Sequence, residues 1–298
     1  MSTSHNPMAV VVGVNGSASA LQAVRWATRV ALRDSVPVRL VHAYQLPLDY
    51  PSRALVRESM LDRAREEGRR WIARAREVAT ENEPHPPIEV VFRAGPASRL
   101  LLRESASASV VVLGTRGLSA LTGLLVGCTT VAVAGQADCP VVVVRGAGVD
   151  EAPNDSGPVV LGVDLNHVND SAIDYAFSEA AAGGGELVAV HAWVESLLDA
   201  ADVDQIEGVD LEEHRHRALE ALTECLSGWQ EKYPGVRVRH EVVHDRPGRA
   251  LRGFSHGAQL VVVARRPHDA FRSLVLGSTS MYLLHHALCP IAVIRNGP

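Results

Sequence analysis

Lysine is almost missing from this chain: Lys232 is the only one, and the rest of its positive charge is arginine. A P-loop NTPase needs Gly-x4-Gly-Lys-Ser/Thr, and one lysine set in a helical stretch before "YPGV" cannot supply it. No apolar run is long enough to span a bilayer. The opening "MSTSHNPMAVVVGV" has no basic segment leading into a signal-like apolar stretch, so the expected compartment is the cytoplasm, with no membrane partner. Four scattered cysteines do not make a disulfide framework, and "DCPVVVV" and "LCPIAVI" read as reduced, buried contexts. Excess positive charge is lacking as well: a net charge of -5 and a pI near 6.2 argue against nucleic acid as the main partner, since a phosphate backbone normally demands a clustered basic face. Neither a Gly-x-Ser-x-Gly elbow nor a His-Glu-x-x-His pair is present.

What is present is a duplication. The length of 298 residues suits two domains, and 47% hydrophobic content suits soluble globular cores. "AVVVGVNGSASALQAVRWA" is answered by "PVVLGVDLNHVNDSAIDYA", setting Gly13, Asn15, Ala23 and Ala27 opposite Gly162, Asp164, Ala172 and Ala176 at one constant offset. "LVHAY" returns as "AVHAW", and "CPVVVVR" as "CPIAVIR". The repeats occupy residues 1–147 and 158–298, joined by a Gly-, Pro- and Asp-rich linker at 148–157.

Short β-branched runs alternate with helical patterns in each half. The first half predicts strands near Ala9 to Val14, Val38 to His42, Ile88 to Phe92, Val110 to Gly114 and Val141 to Arg145, with Ser19 as a helix N-cap. The fold class that follows is α/β: two tandem doubly wound domains, each a five-stranded parallel sheet of order 3-2-1-4-5 with helices on both faces. The Arg- and Glu-rich stretch before residue 82 reads as a solvated helix face. His214 and His216, two apart, point to different sides of a helix and do not make a zinc pair. His42 and His191 end buried strands, where a structural hydrogen bond is the favoured role.

"GTRGLSALTGLLVGCTT" spaces Gly114, Gly117 and Gly127 between a strand and a helix. Such glycines let main-chain N–H groups approach an anion, and a helix starting near Gly127 would add its free amides. They could equally be structural glycines at a strand end. The position favours a ligand, because an open parallel sheet binds at the C-terminal ends of its strands.

With these features the chain resembles the universal stress protein family in its tandem-domain form, across nearly its full length. The resemblance rests on Gly-x2-Gly-x9-Gly, the early "GVN", the "VHA" and the terminal "CPVVVVR". It implies an adenine-nucleotide site for ATP, alone or with Mg2+. Asn15 would stand on the adenosine side, Ala43 near the base, and Gly114, Arg116, Gly117, Gly127, Cys128 and Thr129 around the phosphates. Asn15 replaces the family's usual Asp, and Cys128 its usual Ser or Thr. In the second half Asp164, Ala192, Gly277, Ser278 and Thr279 fill the matching positions, but Ala264 and Pro267 replace the first two glycines. Arg265, Arg266 and Arg272 would either offset that loss by charge or lie on the surface.

The resemblance further implies a nucleotide-dependent regulator in stress adaptation, with an unidentified protein partner and terminal strands paired in an intramolecular pseudo-dimer, with or without a homodimer. The first site is expected to be the better binder, and ATP hydrolysis slow at most. No catalytic or metal-ligating residue is singled out. The alternatives are a nucleotide-free scaffold and a slow adenine-nucleotide hydrolase.

Overall fold

Val10, Val11 and Val12 have no exposed surface, nor have Val141 to Val144, because each such run is β-branched and forms the interior of a parallel sheet. The structure is a computed structural model that describes residues 8–45, 54–115, 126–145, 154–194, 211–265 and 276–296. The chain divides into two units, Met1–Ala152 and Pro153–Pro267 with Gly277–Pro298. No helix among the described residues is long and apolar enough to cross a membrane.

The N-terminal unit runs β1 (Ala9–Gly13), α1 (Ala18–Asp34), β2 (Val38–Tyr44), α2 (Ala54–Ala79), β3 (Ile88–Ala94), α3 (Ala97–Ser105), β4 (Ala108–Gly114), α4 (Cys128–Gln136) and β5 (Val141–Val144). Its strands lie parallel in the order β3-β2-β1-β4-β5. Strands β2 and β3 outrun their expected ends because pairing continues through Tyr44 and Ala94.

The C-terminal unit repeats this plan with β6 (Val159–Gly162), α5 (Asp170–Ala182), β7 (Glu186–Trp193), α6 (Leu211–Lys232), β8 (Arg237–His244), α7 (Pro247–Phe254), β9 (Leu260–Ala264), α8 (Ser278–His286) and β10 (Ile291–Ile294). Its parallel order is β8-β7-β6-β9-β10, so both units carry the expected doubly wound order with helices on both faces.

Two expectations need correction. The cap of α1 is Ser17, not Ser19: the Ser17 hydroxyl accepts the Ala20 N–H at 3.2 Å. The helix starts early because the chain turns at Gly16 (φ 78°) while the Asn15 side chain accepts the Ser17 N–H at 3.2 Å. The cap of α5 is Asn169, whose side chain accepts the Ala172 N–H at 2.9 Å. Ala172 therefore corresponds to Ala20, and the constant offset fails between the first strand and the first helix of each repeat. The caps stand three residues further apart than Gly13 and Gly162 do. The added turn is Leu165–His167, closed by the His167 N–H donating to the Asp164 carbonyl at 2.9 Å.

A second difference accompanies that turn. A methyl group on Gly114 would lie 2.6 Å from the Ser19 carbonyl carbon, so the first turn of α1 packs on bare backbone at the end of β4. In the C-terminal unit the end of β9 carries Ala264.

Candidate functional site

In each unit the first and fourth strands are neighbours, β1 beside β4 and β6 beside β9, and the strand order reverses between them. The residues that follow these strands thus share the crevice where open α/β sheets hold ligands.

In the N-terminal unit Asn15 is exposed beyond β1, and its Oδ1 also accepts the Ser17 hydroxyl at 2.7 Å. Ala43 is half-buried in β2. The Trp71 indole of α2 lies against Gly16, only 2.4 Å from where a Cβ would stand. His42 donates from Nδ1 to the Val14 carbonyl at 2.7 Å, and a carbonyl can only accept, which fixes the tautomer. Its ring meets Trp71 edge-on at 5.3 Å and stacks on Phe92 at 5.5 Å. Burial pushes the His42 pKa down, against the opposing pull of the Val14 hydrogen bond and of Glu67. His191 repeats the bond with the Val163 carbonyl at 3.0 Å, so both histidines have the structural role expected of them.

Gly127 caps α4, and no side chain among the described residues caps that helix end. Cys128 is exposed, Thr129 half-buried, and the Thr130 hydroxyl donates to the Gly114 carbonyl at 3.2 Å. Arg116 and Gly117 lie outside the described residues, as do Arg266, Pro267 and Arg272.

The three glycines of the spacing motif thus do not share one reason. Gly114 is demanded by packing. Gly127 has ordinary backbone angles (φ -63°, ψ 142°), and a Cβ there would come no nearer than 3.9 Å to Thr130 Oγ1. Its counterpart Gly277 (φ -58°, ψ 154°) has nothing within 4 Å of such an atom. Neither conformation nor packing among the described residues calls for glycine at these two caps. What glycine leaves open is access to the first amides of α4 and α8, which have no acceptor within their own helices.

The C-terminal unit holds a cavity of about 730 Å³ in front of α8, within the range of small-molecule sites. It brings together Asp164, Ala192 and Thr279 of the expected residues, while Gly277 and Ser278 begin the helix that bounds it. The Asp164 carboxylate accepts the Asn166 N–H at 3.2 Å and has His167 Nδ1 at 3.5 Å. Trp193 and His214 line one wall with ring centroids 4.2 Å apart. Arg217, on the same helix as His214, reaches the cavity and pairs with Glu213. Among the described residues no group of three or more His, Cys, Asp or Glu could hold a metal ion.

The universal stress protein family is matched twice, by residues 8–145 and again by residues 156–295. The chain belongs to the universal stress protein family. It is 35% identical over 291 residues to a universal stress protein of Mycolicibacterium smegmatis, covering 96% of each chain. Universal stress protein Rv2005c of Mycobacterium tuberculosis is 33% identical, over 99% of this chain and all of that one. A solved universal stress protein from Archaeoglobus fulgidus shares the fold with a TM-score of 0.67 at 18% identity, covering 99% of this chain and 100% of its own.

Against the universal stress protein resemblance, sequence reading overlooked Ser280, Trp193, His214 and Arg217, all lining the C-terminal cavity. Trp193 directly follows the repeated "VHA", which was its only signal. Ser280 lies one residue past the motif's hydroxyl positions. His216 points away from the cavity, with Glu220 Oε1 3.4 Å from its Nε2.

Proposed function

We propose that this protein binds adenine nucleotide at the strand ends and acts as a nucleotide-dependent regulator in stress adaptation. The carrying observation is the pair of glycine caps, Gly127 and Gly277, which expose helix amides that no side chain among the described residues caps. Helix N-termini opened this way attract a phosphate through both free donors and the helix dipole. ATP fits the N-terminal site, where the glycine spacing of the sequence is complete. Family membership supports the stress role, and a nucleotide would act by its difference in affinity between two states of the protein.

The test is mass spectrometry of ligand released from gently purified protein, followed by thermal denaturation with added ATP. An adenine nucleotide in the first experiment is expected. In the second, ATP at about a hundred times its dissociation constant should stabilise the fold by about 2.7 kcal/mol. The double variant Gly127→Val/Gly277→Val should keep its circular dichroism and lose the ATP shift. A clean preparation with no response to ATP would point to the scaffold reading instead.

A further inference from the structure

Among the described residues, β8 is bonded to β7 and to no other strand, and β3 to β2 alone. A strand at a sheet edge presents backbone groups on which a further strand can pair. The Arg237 N–H of β8 donates inward, to the Gly185 carbonyl ahead of β7. Backbone direction alternates along a strand, so the N–H and C=O groups of Val238, His240 and Val242 point off the sheet. The rings of His244 and of His214 in α6 lie 4.3 and 4.2 Å from that of Trp193, which places the even-numbered residues of β8 on the α6 side. Arg239 and Glu241 stand on the opposite face, bonded to each other at 3.0 Å with 55% and 32% of their side chains exposed.

We propose that β8 is a homodimer interface, in which the edges of two copies pair antiparallel about a two-fold axis through His240. In that register His240 meets the partner's His240 and Val238 the partner's Val242, each pair exchanging both backbone hydrogen bonds. Arg239 falls directly opposite the partner's Glu241, and Glu241 opposite the partner's Arg239. A two-fold contact has to be self-complementary, and this order of charges is. The charges also fix the register. Moving the axis one residue back sets Arg239 against the partner's Arg239, and one residue forward sets Glu241 against the partner's Glu241, both of which are destabilising. The edge at β3 has its acid committed elsewhere: Glu89 is held at 2.8 Å by Arg39, whose side chain is only 8% exposed and also binds Glu104.

Sedimentation equilibrium of the full chain tests this. The parent should dimerise reversibly with a dissociation constant at or below about 100 μM. Arg239→Glu and Glu241→Arg each set like charges across the axis twice, so each should weaken self-association about tenfold. Mixed together, the two variants should pair at least as tightly as the parent, because the acids of one then face the arginines of the other. A salt bridge confined to one chain cannot give that rescue, since both variants have lost it. Val238→Pro removes an outward N–H and no bond to β7, so it should also weaken the dimer and melt like the parent monomer. A parent that stays monomeric at about 100 μM overturns the proposal. So does a dimer indifferent to both charge variants, or a mixture that associates no better than its components.

Discussion

At the scale of single residues, asking what a methyl group would meet separates glycines that look alike in a motif. On Gly114 it would press into the Ser19 and Ala20 backbone at 2.6 and 2.8 Å, whereas on Gly127 it would come no nearer than 3.9 Å, to Thr130 Oγ1. Gly114→Ala should therefore cost about 1–3 kcal/mol in urea denaturation. Gly127→Ala should cost less than about 1 kcal/mol. Equal losses would mean that the two positions are not distinguished by packing. His42 supplies a pH prediction. Its buried imidazole takes a proton less readily than in the unfolded chain, so its stabilising effect is complete above about pH 6.5 and is lost as pH falls through the lowered folded value. His42→Gln should flatten the loss of stability on going from about pH 7.5 to 5.5. The glycines and the histidine stood out in the sequence, but the reasons for them did not, because those reasons are contacts with Ser19, Trp71 and Phe92 far along the chain.

At the scale of elements, the strands were legible because β-branched runs bounded by turn residues have few other uses. The caps were less so. In "NGSASA" two serines compete for the N-cap, and only the turn made by Asn15 and Gly16 selects Ser17. The added turn after β6 was hidden for another reason: α5 has 13 residues against the 17 of α1, so β7 returns to the offset of β2 and the alignment looks unbroken. Removing either cap tests this assignment. Ser17→Ala and Asn169→Ala should each lower stability by about 1 kcal/mol in chemical denaturation, and Ser19→Ala by clearly less.

For the whole molecule, duplication and family were legible from the repeats themselves, and the matches at 8–145 and 156–295 agree with them. The C-terminal cavity was not. The sequence directs attention to the N-terminal loop, where the glycine spacing is intact. The structure adds a C-terminal cavity lined by Trp193, His214 and Ser280. Two nucleotides per chain are the expected stoichiometry, one lost in each of Gly127→Val and Gly277→Val. A single event abolished by either variant would instead mean that the two repeats do not bind independently.

Each half also carries its own indole near the strand ends, Trp71 against Gly16 and Trp193 beside Ala192. Replacing one tryptophan or the other by phenylalanine, and the remaining two in both cases, leaves a chain whose ultraviolet emission reports on one crevice alone. The protein thus comes with an intrinsic fluorophore at each address, and occupancy of the two can be followed separately without attaching a dye.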